Sequence, residues 1–295
     1  MNLLGPRLYF VPIAVAFVLV EIFLLHRDRS RGEPRFTGFD WRDTISGPMV
    51  GAAAQIIGLV NRFLLVAITG LYLPVALPPI RNPFVDYLVA IVAWDFAFYW
   101  FHRLSHRTAL GWASHITHHE SPYFNLTTAL RLEWFPIIGL LTYPPLALLG
   151  LSNGAMASAV LINGFYGGVI HTELIPRLPK PIEWLFNTPW HHRVHHRRAT
   201  LGGANFANTF VVWDRLFGTF AEVEPNQGPY GVPCPSPYGP LRTPLHRFVT
   251  IFLRPTAAKV RALGGRPARA ADEPERSDSL GILMLTTTSP ASHES

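Results

Sequence analysis

Cysteine is almost absent: Cys234 stands alone in 295 residues. No disulfide can form within the chain, which excludes a scaffold stapled in an oxidising compartment, and Cys234 is read as inert. Charge is scarce as well. Only 15% of residues are charged against 49% hydrophobic, and the mean hydropathy is positive, a composition that points away from a water-soluble domain and toward a membrane protein. No Gly-x-Gly-x-x-Gly opens a helix and no Cys-x-x-Cys-His occurs. The chain therefore carries no dinucleotide or haem fingerprint, and electrons for any redox reaction have to come from a redox partner or a diffusible reductant. The net charge of +6 lies in arginines that flank apolar runs rather than in a basic stripe interleaved with aromatics, so no nucleic-acid partner is expected.

Long apolar runs are what the sequence does have. A bilayer core about 30 Å thick takes roughly 20 apolar residues in a helix, and residues 8–25, 46–77, 84–101, 134–151 and 153–170 are candidates. The first run is followed by His26-Arg-Asp-Arg-Ser-Arg31 instead of a small-residue cleavage site, which predicts a retained anchor. Asn61 and Arg62 interrupt the second run, which is either one span or an interfacial helix leading into a span. Pro78-Pro79-Ile80-Arg81-Asn82-Pro83 forbids a continuous helix into the third. Residues 150–154 have turn composition, so the last two runs are expected to form a hairpin. Arg27, Arg29, Arg31 and Arg35 place the end of the first span in the cytosol by the positive-inside rule, and counting crossings from there brings residues 102, 171 and 191–196 to that same face. Glu21 lies near the cytosolic end of the first span and is expected to snorkel.

Ten of the thirteen histidines fall between positions 102 and 196. His102 and His106 are four apart, which puts both rings on one helical face. His115 with His118 and His119 repeats that spacing, as does His192 with His195 and His196. Adding His171 gives nine ring donors and leaves His191 over, enough for two metal ions with four or five nitrogens each. The competing reading is a solvated basic face contacting lipid phosphates; three helical motifs brought to one membrane face favour metal. His26, His246 and His293 stand alone and are read as ordinary surface residues. The expected fold is all-α: a polytopic integral-membrane helical bundle over residues 1–253, with its motif core at 84–222 and a cytosolic histidine-rich cap for two metals. Residues 254–295 are expected to be disordered.

The motifs Asp95-Phe-Ala-Phe-Tyr-Trp-Phe-His102-Arg-Leu-Ser-His106, Trp112-Ala-Ser-His115-Ile-Thr-His118-His119 and Thr188-Pro-Trp-His191-His192-Arg-Val-His195-His196 closely resemble the sterol desaturase and fatty-acid hydroxylase superfamily. Phe124-Asn-Leu-Thr-Thr-Ala-Leu-Arg131 and Trp213-Asp-Arg-Leu-Phe-Gly-Thr-Phe220 look like its alkylglycerol monooxygenase-like branch. The resemblance implies a membrane enzyme using two iron ions, O2 and two external electrons to hydroxylate a lipid C–H bond. It further implies that His102, His106, His115, His118, His119, His171, His192, His195 and His196 are the ligands. Zinc can take such a site in purified members, and a tetrahydropterin is a donor the branch suggests. Desaturation by the same site, and a metal-binding or transport protein without catalysis, are the rival functions. The sequence departs from the family beside the last motif, with Arg197-Arg198 after the histidine pair and Asn205-Phe-Ala-Asn208 in place of a glycine-rich run.

Two carboxylates are candidates for the ring around the ligands. Asp95 sits two turns before His102 inside a span, where it either accepts from a ligand's free N–H or pairs with a neighbouring helix. Glu173 is either a similar partner of His171 or a solvated helix-end carboxylate. Arg131 is either an anion holder or an interface anchor, the second being preferred.

Overall fold

The computed structural model describes residues 4–32, 35–200, 203–222, 229–232 and 244–245, with side chains from residue 12 onward. Cys234, His246, His293 and the expected disordered tail 254–295 lie outside the described residues, all of which belong to one compact unit, Met1–Phe248. Every regular element among them is helical, and pairing between extended segments is limited to two isolated bridges, Phe186 with Phe210 and Arg197 with Tyr230.

Three long helices come first: α1 (Leu4–Arg29), α2 (Trp41–Tyr72) and α3 (Pro83–Arg107). Each start has a local cause. The Asp40 carboxylate accepts from the Arg42 and Asp43 amides at the head of α2, and the Asn82 side chain caps Val85 N–H with Pro83 in the first turn of α3, which satisfies donors that a helix leaves open. Asn61 and Arg62 do not break α2, which runs on as one helix into a 3-10 turn, Leu73–Val75. Trp41–Val75 and Pro83–Arg107 are long and apolar enough to cross a membrane. The most apolar stretch of the first buries none of its residues, and Phe63 (77% exposed) and Leu71 (76%) stand on its surface. A core helix of a soluble protein would hide these side chains; a lipid-facing helix need not.

After α3 come α4 (Ala109–His115), a 3-10 turn Ile116–His119, and α5 (Gly139–Thr142); then α6 (Asn153–Val169), α7 (Lys180–Leu185), α8 (Pro189–His196) and α9 (Val212–Leu216). The expected helical hairpin is only half formed. Its second arm is α6, capped by Ser152. The first arm, 134–151, is a broken path of α5 and a 3-10 turn, Pro144–Leu149. Pro136, Pro144 and Pro145 remove amide donors and disfavour helix in the residues before them. The segment nevertheless travels the length of α2: Trp134 Nε1 donates to the Val50 carbonyl near one end, and Leu77 N–H donates to the Leu148 carbonyl beyond the other. Irregular backbone at such depth survives because it packs against α2 and α3 rather than lipid.

Helices α3 and α6 meet through Ala90, Ala155 and Ala159, all buried, and their C-terminal ends carry His102, His106 and, just past α6, His171. The N-terminal part of α2 meets the same end of the bundle, where Asp43 pairs with Arg131. Both groups are buried, at 1% and 2% exposure, so Arg131 neither anchors an interface nor waits for an anion. Glu21 does not snorkel either. It is buried and accepts from Leu126 N–H and Thr172 Oγ–H, tying α1 to the loops around the histidines.

Candidate metal centre

The histidines of α3, α4, the 3-10 turn after α4, the end of α6 and α8 converge into two groups. His102, His106, His115, His119 and His195 form one; His118, His171, His192 and His196 form the other, and within each group the nearest ring nitrogens all lie within 4.8 Å of one another. These are the same nine positions that spacing singled out. His191, directly beside them in α8, turns away: it belongs to neither group, and its ring meets the edge of Phe220.

What holds each ring decides which nitrogen faces inward. A carbonyl oxygen only accepts, so a histidine Nδ1 bonded to one must carry the proton and leave Nε2 bare. His102 Nδ1 donates to the Phe206 carbonyl at 2.7 Å, His171 Nδ1 to Gly167 at 2.6 Å and His195 Nδ1 to Ala204 at 2.8 Å. His115 Nδ1 donates to Glu133 Oε1 at 2.6 Å. The consequence is a crowding of bare nitrogens. Nε2 of His171 lies 3.0 Å from Nε2 of His118, and additional protons are disfavoured, because burial pushes His171 down to about 4 and His118 well below the usual imidazole range.

A cation relieves it directly. Nε2 separations of 2.9 Å between His192 and His171 and 3.1–3.2 Å from His119 to His106, His115 and His195 are close to those of neighbouring nitrogens bound to one ion at about 2.0–2.1 Å. His102 Nε2 and His196 Nε2, both buried, have no hydrogen-bond partner among the described residues. The donor set therefore fits two transition-metal ions, with imidazole as the sole ligand type.

The carboxylates that support this arrangement differ from the sequence candidates. Asp95 accepts from the Thr209 and Phe210 amides and from Trp213 Nε1, and touches no ligand ring. Glu173 accepts from the Thr37 amide and hydroxyl. Burial raises it above the ordinary carboxylate range. Glu133, given no role from sequence, is the one that grips a ring of the two groups, that of His115, and Ser114 Oγ–H holds its other oxygen. Asp214 accepts from the Phe206 and Ala207 amides, so it pins the loop whose carbonyls hold His102 and His195. Between those carbonyls Asn205 adopts φ 56°, a left-handed conformation that Asn tolerates better than most residues; its side chain is locked to the His191 carbonyl and to Ala221. The departure at Arg198 also has a structural use, since its guanidinium bonds the carbonyls of Tyr230, Gly231 and Val232. Removing the Glu133 carboxylate (Glu133→Ala) is expected to weaken metal retention about 10–100-fold, measured as metal left after dialysis against graded chelator. Retention equal to wild type would show that the carboxylate does not hold His115 in its working position.

A cavity of about 520 Å³ opens beside the histidines between α3 and α6, within the size range of small-molecule sites. His102, His115, His118, His171 and His192 form one end, and Trp94, Phe98, Phe101 and Val160 are among its largely apolar walls.

Residues 87–219 match the family model for fatty acid hydroxylases. The resemblance carried by the histidine motifs is thereby borne out: the stretch that holds them is similar to the fatty acid hydroxylases. Its similarity runs to the alkylglycerol monooxygenases. It is 40% identical over 161 residues to alkylglycerol monooxygenase of Xenopus tropicalis (54% of this chain, 35% of that protein) and 39% identical over 166 residues to that of Homo sapiens (55% and 37%). Ornithine lipid hydroxylase OlsE of Rhizobium tropici is 28% identical over 136 residues (45% and 41%). The matched stretch spans about a third of the length of the alkylglycerol monooxygenases. No solved structure matches the chain.

Proposed function

We propose that this protein is a multi-pass membrane oxygenase that hydroxylates a C–H bond of a lipid. The observation that carries this reading is the gathering of nine imidazoles in two groups, five of which line a largely apolar cavity. The names of its relatives, lipid-modifying monooxygenases and hydroxylases, agree with it.

The nine histidines of the two groups would hold two iron ions, which supply O2 activation with two electrons from outside the chain, from a redox protein or a diffusible donor such as a tetrahydropterin. The protein's own contribution is geometric. Carbonyls of Ala204, Phe206 and Gly167 and the Glu133 carboxylate fix the tautomers of His195, His102, His171 and His115, so that these rings need neither turn nor lose a proton on metal entry. Aromatic side chains of α3 exclude water from the wall beside them and leave room for an alkyl chain. The ends of α3 and α6, the start of α2 and the arginine-flanked end of α1 lie on the side of the bundle that carries the centre. By the positive-inside rule that side is cytosolic.

Membranes containing the protein, given lipid, reductant and isotopically labelled O2, should yield a hydroxylated lipid carrying the label, read by mass spectrometry. An alkene without added label would redirect the reading to desaturation. Full lipid modification under strict anaerobiosis would overturn it.

A further inference from the structure

Glycine inside a helix is destabilising relative to alanine, yet α6 carries Gly164, Gly167 and Gly168 within its last turns. The three have different reasons to be there. At Gly167 an added Cβ would lie 2.5 Å from Asn208 Oδ1, and Asn208 is fixed by its amide donating to the Asn163 carbonyl and side chain. Gly167 is small because a buried polar side chain packs on it. At Gly164 and Gly168 an added Cβ meets nothing within 4 Å. No protein atom requires glycine at either place.

Both glycines line the cavity. Val160, Gly164, Gly168 and His171 recur at helical spacing and line it from one side. Trp94, Phe98, Phe101 and His102 line it from α3, a stripe of aromatics across from two positions that carry no side chain. Below, the two helices close on each other at Ala90, Ala155 and Ala159; above, the cavity lies between them and reaches His102, whose buried Nε2 has no hydrogen-bond partner among the described residues.

We propose that Gly164 and Gly168 set the width of the substrate path, so that an unbranched alkyl chain lies along α6 against the α3 aromatics with one carbon beside the histidines. This rests on the function proposed above and adds a specificity determinant to it. The same Gly-x-x-x-Gly spacing serves helix–helix association in other membrane proteins, and the two roles separate by experiment.

Gly164→Leu and Gly168→Leu place a side chain into open space, so the fold should accept them. With a straight-chain alkylglycerol as probe, each is expected to lose at least about tenfold in turnover, and native mass spectrometry should show the bound lipid lost. Metal content and oligomeric state should stay as in wild type. Gly168→Ala should be milder. Gly167→Ala, which meets Asn208, should instead lower thermal stability. Turnover and lipid occupancy of both leucine variants within about twofold of wild type would overturn the inference while leaving the oxygenase reading intact. A change of oligomeric state with lipid occupancy retained would assign the glycines to helix association instead. A wild-type protein that neither binds nor turns over any alkyl lipid would overturn the proposed function, and this inference with it.

Discussion

The double variant His118→Ala/His171→Ala is expected to lose the metal of one site and keep that of the other. Both residues belong to the group of four, and their Nε2 atoms face each other at 3.0 Å. Two imidazoles would remain there, too few for a structural or a catalytic site. The group of five that contains His119 would keep all its members. Elemental analysis should therefore show bound metal falling by about half, and lipid hydroxylation should fall by at least about 100-fold. An unchanged metal content would sink the ligand assignment. Complete loss would show that the nine rings form one indivisible cluster rather than two sites. An unaltered elution profile from gel filtration is the check that the variant is folded.

A second large effect is expected away from the metal. Arg131→Ala leaves the Asp43 carboxylate buried without its partner, since Arg131 Nη2 lies 2.6 Å from Asp43 Oδ1 and also bonds the Asp43 carbonyl. Breaking a buried ion pair from one side costs about 3–5 kcal/mol, because the remaining charge is desolvated and unpaired. For a chain of this size that corresponds to a melting temperature lower by roughly 10 °C, measurable on the detergent-solubilised protein. Replacing both partners (Asp43→Asn with Arg131→Met) should recover much of the lost stability, because no lone charge is left inside. A single variant that melts like wild type would show that the pair contributes nothing to the fold.

How much of this was legible beforehand depends on the range over which each feature is decided. The i, i+4 pairs were readable, and they survive intact: His102 with His106 and His115 with His119 lie in one group, His192 with His196 in the other. Residues four apart stay on one helical face whatever the surroundings. The partition was not readable. His118 and His119 are neighbours in sequence yet go to different groups, as do His195 and His196, because adjacent residues on a helical turn point about 100° apart and only the packing of other elements decides what each ring meets. Asp95 was singled out from its cost inside a span, and the structure does give it three donors. They come from Thr209, Phe210 and Trp213, more than a hundred residues away and beyond the reach of any spacing argument.

By itself, the sequence determined the long apolar helices, the capping residues that start them, and the nine histidines with the helical periods that bring them near each other. These follow from local hydrogen bonding and side-chain period, which neighbouring residues settle among themselves. Only the tertiary structure decided that 134–151 is a broken path, that Glu133 rather than Asp95 or Glu173 grips the His115 ring, and that the loop carbonyls of Ala204 and Phe206 set two ring tautomers. Each of these depends on a polar group finding its partner across the fold. The penalty for leaving such a group unpaired is paid only where it is buried, and burial is fixed once the helices have packed.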